Sequence, residues 1–222
     1  MIFIENVKKR NKRINTSTLL LYPTYFSPIA QYVGLAKADQ VIFEVEDNYQ
    51  KQTYRTRCYI YGANGKQLLN IPVQHNNKSR KTREILIDNS VPWQKQHLRA
   101  IQAAYRSSPY FEFYEEEFVL LFKKAPQYLL DFNFTCLELV LEMLQLEITF
   151  TKTTTYFNEY SDIVDLRLLA DAKSQKKYKL NPYTQVFSDK HGFIENLSIL
   201  DLLFMEGPNA LNYLENQLIE LE

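Results

Sequence analysis

Two short apolar runs, separated by a helical pattern, constrain the fold of this chain more than any other feature. The first run covers residues 18–21 and is followed by Pro23 and Pro28, and the second covers residues 40–45. Between them, residues 29–38 carry apolar side chains at helical spacing. A helix between the first two strands, with later strands and then helices, predicts an α/β or α+β protein with a mixed β-sheet.

A β-hairpin is predicted directly after the polar segment that ends at Arg57. Residues 57–61 and 67–73 have strand patterns, and Gly62-Ala63-Asn64-Gly65 separates them. Asn-Gly between strands favours a tight turn because both residues tolerate positive φ. Further strands are predicted at residues 84–87 and 147–150. Helices are predicted at residues 110–124, 129–146, 162–170 and 210–221, with one beginning near Pro92 and one opened by Ser198 with Asp201.

Length and composition limit the class of protein. A chain of 222 residues favours one domain, which we place at residues 18–222 after a polar tail at 1–17. The mixed sheet then occupies the N-terminal half and the C-terminal half is helical. The 26 basic residues are balanced by 26 acidic ones, which argues against nucleic acid as a partner. No apolar run has the length of a membrane span, and neither a secretory signal nor a disulfide pattern is visible, so we expect a cytoplasmic protein.

A polar segment after the second strand is the first candidate site. Two arginines two apart on a strand share a face, so Arg55 and Arg57 are expected to address one phosphate or carboxylate. Lys51 supplies a point charge or, if desolvated, a base. The alternative is an exposed edge with cross-strand ion pairs. The candidate residues of this segment are Glu44, Glu46, Tyr49, Lys51, Arg55 and Arg57.

His97 is the second candidate. It follows Trp93 by one helical turn, which places it at the border of an apolar stripe, where a histidine suits general acid–base catalysis. The alternative is a structural histidine bonded to a backbone carbonyl. The three histidines show no metal-ligand spacing, and no glycine-rich nucleotide motif is present, so we expect neither a metal nor a cofactor.

Residues 173–196 lack a periodic pattern but contain Tyr183, Phe187, His191 and Phe193. Long aromatic loops inside a domain often act as lids or binding loops. The alternative is an extended segment that packs along the helices with its aromatic side chains as anchors. The sequence leaves both open.

The order and spacing of several motifs resemble the WbqC-like protein family over residues 18–214. The motifs are Pro23-x-Tyr25-Phe26-x-Pro28, Tyr49-x-Lys51 with Arg55-x-Arg57, Gly65 followed by Leu69-x-Ile71-Pro72-Val73, Trp93-x-x-x-His97-Leu98, Tyr105-x-x-x-Pro109-Tyr110-Phe111, and the closing run from Asn196 through Gly207-Pro208. Many members have Gln-Pro where this chain has Tyr22-Pro23. Some members are encoded in bacterial gene clusters for O-antigen and other surface polysaccharides.

The resemblance implies a cytoplasmic enzyme of surface polysaccharide biosynthesis that transfers an acyl or aminoacyl group to an amino sugar. Its partner would be a small molecule that bears a phosphate or carboxylate, such as a sugar nucleotide, and a homo-oligomer is left open. The competing hypothesis is a non-catalytic binding or scaffold protein of the same pathway, which docks through its aromatic C-terminal region. In the enzyme hypothesis, one pocket gathers the catalytic residues His97, Lys51 and Glu46 with the substrate-binding residues Arg55, Arg57, Tyr49, Glu44, Tyr25 and Trp93.

Overall fold

A computed structural model describes residues 2–3, 18–74, 81–158, 163–173, 178–218 and 220–221. Its strands are β1 (Ile2–Phe3), β2 (Thr18–Leu21), β3 (Gln40–Phe43), β4 (Arg57–Gly62), β5 (Gly65–Asn70), β6 (Phe150–Lys152), β7 (Val164–Asp165) and β8 (Glu220–Leu221). Its α-helices are α1 (Ile29–Lys37), α2 (Trp93–Tyr105), α3 (Phe111–Lys123), α4 (Leu129–Leu144), α5 (Ser188–His191), α6 (Ile199–Glu206) and α7 (Ala210–Glu215).

A four-stranded parallel sheet in the order β6-β3-β2-β7 positions the rest of the chain. From β2 the chain passes through α1 to the neighbouring β3 and later reaches β6 beyond it. It then crosses back to the other side of β2 and forms β7. The direction of strand addition therefore reverses between β2 and β7. Residues 19–21 of β2 and 29–36 of α1 are buried, as expected for a parallel sheet covered by its crossover helix.

The predicted hairpin forms a separate antiparallel pair of strands, β4 and β5. Gly62 pairs with Gly65, so Ala63 and Asn64 are the two turn residues. Among residues 62–65, only Gly65 has positive φ, at 99°, which a residue with a Cβ adopts at a cost. The parallel sheet, the hairpin and the helices confirm the predicted α/β class.

The helices of the C-terminal half enclose an aromatic core. Phe204 of α6 lies 5.1 Å from Phe111 and 5.3 Å from Phe118 of α3, and 5.1 Å from Tyr105 of α2, measured between ring centroids. Such ring pairs stabilise a core beyond the area that they bury. Residues 199–204 of α6 are all buried, so this helix passes through the core.

Four predicted elements differ from the structure. The strand expected at 147–150 is displaced to Phe150–Lys152. Residues 162–170 were expected to be helical, but Val164 and Asp165 form β7 and only Arg167–Ala170 form a 3₁₀ turn. Thr82–Glu84 also form a 3₁₀ turn, so the strand expected at 84–87 is reduced to isolated bridges at Leu86 and Ile87. For residues 162–170 and 84–87 alike, pairing with segments that are distant in the chain determines the observed structure. The last helix, predicted at residues 210–221, ends at Glu215, and Leu218 beyond it is 54% exposed.

Part of the predicted polar tail is ordered. Ile2 and Phe3 form β1, which pairs with β8 near the other end of the chain. Residues 4–17 and His75 lie outside the described residues. Within the described ranges, no helix is long and apolar enough to span a membrane.

The packing of α6 makes a stability prediction. Leu203 is fully buried, so Leu203→Ala should lower the free energy of unfolding by about 2–5 kcal/mol. The matched control Leu218→Ala removes an exposed leucine and should change it by less than about 0.5 kcal/mol. Urea denaturation of both variants measures the difference. Equal stability of the two variants would show that α6 is peripheral.

Candidate functional site

A cavity of about 420 Å³ lies where the order of the parallel strands reverses. Tyr22, which lines it, directly follows β2, and Arg167 follows β7 by two residues. Open α/β sheets bind ligands outside the carboxyl ends of their strands at such a reversal. The charged residues in the lining are Lys51, Arg55, Arg167, Asp171 and Lys173.

A buried ion pair forms one wall of this cavity. Arg55 Nη2 lies 2.5 Å from Asp47 Oδ2, and both side chains are almost completely buried. The Arg55 guanidinium lies 3.8 Å from the centroid of the Tyr22 ring, and its Nη1 donates a hydrogen bond to Thr53 Oγ1 at 3.3 Å. Two buried atoms of the pair, Arg55 Nε and Asp47 Oδ1, have no hydrogen-bond partner among the described residues. An unpaired buried polar atom is costly, so the contacts of this pair with the described residues do not satisfy it fully.

Arg167, another residue of the lining, is fixed by its own contacts. It pairs with Asp165 at 2.6 Å and donates hydrogen bonds to the carbonyl oxygens of Phe157 and Asn158. The hydrogen bonds with Asp165 raise the pKa of Arg167 above its ordinary value, so the guanidinium stays charged. The side chain is therefore oriented before any ligand arrives.

Two exposed lysines, Lys51 and Lys173, give the cavity a positive surplus. The charges of Arg55 and Arg167 are offset by Asp47 and Asp165, and Asp171 is the carboxylate of the lining itself. Tyr22 remains a neutral hydroxyl at physiological pH, because burial and then Asp47 raise its pKa to about 12. The arrangement suits a small anion that accepts hydrogen bonds from several cations.

The N-terminus of α1 is closed to ligands, although helices in this place of a sheet often bind phosphate through backbone N–H groups. The Ile29 N–H donates to the Leu197 carbonyl at 3.0 Å, and the Ala30 N–H donates to Asn196 Oδ1 at 2.9 Å. The Gln31 N–H donates to the carbonyl of Pro28. Anion recognition in this cavity therefore falls to side chains.

The structure brings two of the nine predicted site residues, Lys51 and Arg55, to the cavity. Glu44 is buried instead, and its Oε1 accepts hydrogen bonds from the Glu46 N–H at 2.7 Å and from Thr153 Oγ1 at 2.8 Å. Glu46 forms an ion pair with Arg83 at 2.6 Å. These contacts order the chain after β3.

Arg57 and Tyr49 lie near the cavity but are not part of its lining. Arg55 precedes β4, which begins at Arg57, so the two arginines do not share a strand face as expected. Tyr49 is half-buried, and its pKa, raised by burial, is lowered in part by a hydrogen bond with Thr56 and by both arginines. Tyr49 therefore lies close to both Arg55 and Arg57.

His97, Tyr25 and Trp93 form a separate buried aromatic cluster. Tyr25 Oη and His97 Nδ1 are 2.9 Å apart, and the His97 ring lies 5.2 Å from Trp93 and 6.3 Å from Phe122. Burial lowers the pKa of His97 to about 4, so the ring is neutral at physiological pH. None of the three lines the cavity, and catalytic roles for His97, Lys51 and Glu46 stay predictions.

Sequence reasoning missed several residues of the cavity. Tyr22 was recognisable as the first residue after a buried strand, where ligand contacts are common. Asp165 and Arg167 lay within a segment predicted to be helical, and Lys173 at the start of the unpatterned one. Asp47 carried no signal that distinguished it from Glu44 and Glu46. Within the described residues, no cluster of histidine, cysteine and carboxylate side chains could hold a metal ion.

The described part of the unpatterned segment, residues 178–196, packs against the core. Tyr61 Oη donates to the Gly192 carbonyl at 2.6 Å, and the buried Asp201 accepts hydrogen bonds from Tyr183, Tyr105 and Gln185. These bonds oppose the effect of burial, which raises the pKa of Asp201. The contacts favour the extended, anchored alternative over a lid. Asp201 serves this network rather than a capping box.

The buried ion pair makes the second prediction. Asp47→Ala leaves Arg55 charged and uncompensated, so the free energy of unfolding should fall by about 3–5 kcal/mol. Glu46→Ala is the control, because it removes an ion pair with the half-exposed Arg83 and should cost less than about 1 kcal/mol. Chemical denaturation compares the two. A stable Asp47→Ala variant would mean that Arg55 is solvated or paired elsewhere.

The third prediction concerns pH. The pKa of His97 falls from an ordinary 6.5 to about 4 in the folded chain, so the unfolded chain binds more protons between these values. Stability that is present above pH 6.5 is therefore lost as the pH falls towards 4. Between pH 7 and pH 5 the wild type should lose about 2 kcal/mol more than His97→Gln. Urea titrations at both pH values test this, and parallel losses in the two proteins would contradict it.

Comparison with known proteins gives one match. The model of the WbqC-like protein family matches residues 23–176, a range that contains Lys51, Arg55, Arg167 and Lys173 but ends before the closing run at 196–208. No curated protein and no solved structure matches significantly. Because the matched range exceeds half of the 222 residues, the chain belongs to the WbqC-like protein family.

Proposed function

We propose that the cavity between β2 and β7 binds a small molecule through a phosphate or carboxylate group. The observation that carries this proposal is the buried Arg55 of the lining, whose guanidinium is held by Asp47 and lies over the Tyr22 ring. Lys51 and Lys173 add charge at the exposed side, and charge-assisted hydrogen bonds to such an anion are strong.

We further propose that the protein is a cytoplasmic enzyme of bacterial surface polysaccharide biosynthesis. In this proposal it transfers an acyl or aminoacyl group to the amine of a nucleotide- or lipid-linked amino sugar. Membership in the WbqC-like family supports the pathway, since some members are encoded in gene clusters for such polysaccharides. The cationic cavity supports this choice of substrate, because the nucleotide and the lipid carrier of the amino sugar both bear phosphates.

The transfer requires one proton acceptor and an activated donor such as an acyl thioester or acyl phosphate. The amine nitrogen forms a bond to the acyl carbon, the carbon–sulfur or carbon–oxygen bond breaks, and the thiolate or phosphate leaves with the electron pair. The amine proton passes to Asp171, the exposed carboxylate of the lining. Glu46 and His97, which sequence reasoning favoured for this step, lie outside the lining of the cavity. Asp171 lies in the lining, and its Oδ1 accepts a hydrogen bond from the Lys173 N–H at 2.9 Å.

The non-catalytic alternative has less support. It assigned the docking surface to the aromatic residues near Tyr183. Those rings contact other parts of the same chain, with Tyr183 lying 5.2 Å from Tyr213 and Phe187 lying 5.7 Å from Tyr61. A surface occupied by internal contacts is not available as an interface.

The anion site is tested by calorimetric titration with inorganic pyrophosphate. Lys51→Ala combined with Lys173→Ala should weaken binding by about fivefold or more, and added salt should reduce the difference, because both lysines are exposed. Lys95→Ala, an exposed lysine of α2 outside this cavity, should bind as the wild type does. Arg55 is unsuitable for this test because its removal leaves Asp47 buried and unpaired.

The transfer is tested by incubating the protein with nucleotide-linked amino sugars and acyl thioesters. Mass spectrometry then detects any acylated sugar. Asp171→Asn should lower kcat by about 10²-fold or more and change pyrophosphate affinity little, as expected for loss of a general base. Normal turnover in Asp171→Asn would remove the residue from the mechanism. Pyrophosphate binding without turnover of any donor would favour the non-catalytic alternative.

A further inference from the structure

Three large apolar side chains are exposed beside Arg167. Tyr156 is 44% exposed, Phe157 is 54% exposed and Leu168 is 41% exposed. Exposed apolar side chains are ordinary when they are scattered singly, but a group beside a cavity indicates a binding surface. We call these three residues the aromatic rim.

Contacts with Arg167 hold the rim at the cavity. The Arg167 guanidinium lies 5.6 Å from the centroid of the Tyr156 ring, and its Nη1 donates a hydrogen bond to the Phe157 carbonyl at 3.0 Å. Leu168 follows Arg167 in the chain and lines the cavity directly. Tyr156 is also close enough to Tyr22 to raise the pKa of that hydroxyl. Leu168 therefore belongs to the lining, Tyr156 lies close to the lining residues Arg167 and Tyr22, and Phe157 adjoins Arg167 through its backbone.

We propose that the aromatic rim stacks on the base of a nucleoside diphosphate whose phosphates bind the cationic cavity. This inference rests on the proposed anion site. The proposed function left two substrates open, an amino sugar linked to a nucleotide and one linked to a lipid, and the rim favours the nucleotide-linked sugar. Bases stack readily on aromatic side chains and on arginine planes, whichever base is present.

The size of the rim argues against a lipid carrier. A polyprenyl chain needs a long continuous apolar surface, whereas the rim has three apolar side chains. Apart from Leu168 and Ala170, the residues of the lining carry polar groups, and they include Gln50, Gln52, Thr53 and Asp171. An extended hydrocarbon chain would therefore have to cross polar side chains that it cannot pair with.

The test compares uridine diphosphate, farnesyl pyrophosphate and inorganic pyrophosphate by calorimetric titration. For the wild type, uridine diphosphate should bind more tightly than pyrophosphate, and farnesyl pyrophosphate should not. Tyr156→Ala should weaken uridine diphosphate binding about tenfold and leave pyrophosphate binding unchanged, as expected for loss of one stacking partner. Tyr156→Phe keeps the ring and should bind uridine diphosphate as the wild type does.

The outcomes separate this inference from the proposed function. The stacking role would be overturned if uridine diphosphate bound no more tightly than pyrophosphate. It would also be overturned if Tyr156→Ala lowered the affinity for both ligands equally. In either case the anion site would remain supported. A gain for farnesyl pyrophosphate alone would assign the rim to a lipid carrier and overturn the inference. If none of the three ligands binds, the anion site itself is absent and the proposed function fails with it.

Discussion

The buried pair of Arg55 and Asp47 is the interaction on which the arrangement of the site depends. Removing two opposite charges from water costs several kcal/mol per ion, and their attraction offsets this only with good geometry. The backbone around the pair is fixed from the helical side, because Asn133 of α4 donates hydrogen bonds to the carbonyl oxygens of Arg55 and Pro23. The pair thus connects the segment after β3, the residues after β2 and α4.

The ion pair of Arg55 and Asp47 also carries a desolvation cost that an apolar pair in the same place would not carry. An apolar pair of similar volume is often as stable as a buried ion pair. Here each partner keeps one buried atom that makes no hydrogen bond to the described part of the chain. Unfavourable features of this kind persist where the surrounding structure holds them, and they concentrate at functional sites. The cavity beside Arg55 gives this cost a physical reason.

Local patterns in the sequence predicted much of the fold, and long-range pairing decided the rest. The first strand, the hairpin and the helices α2, α3 and α4 follow from apolar spacing and turn residues over short distances. The strand β7 has only two residues, and its pairing with β2 spans most of the chain. Lys51 and Arg55 were found because charge is dense in their segment, whereas the position of Arg167 depends on strand order. His97 was expected at the edge of an apolar stripe, but Tyr25 and Phe122 from other elements bury it.

The closed N-terminus of α1 determines how the chemistry of this cavity can change. Where backbone N–H groups hold a phosphate, substitution cannot alter the donors, since every residue except proline supplies the same group. Here the Leu197 carbonyl and the Asn196 side chain occupy those donors, so the charge that the cavity presents is encoded in individual side chains. Single substitutions at Lys51 or Lys173 change that charge without disturbing the sheet. Ligand preference in this fold is therefore free to diverge between related chains while the sheet and its helices stay the same.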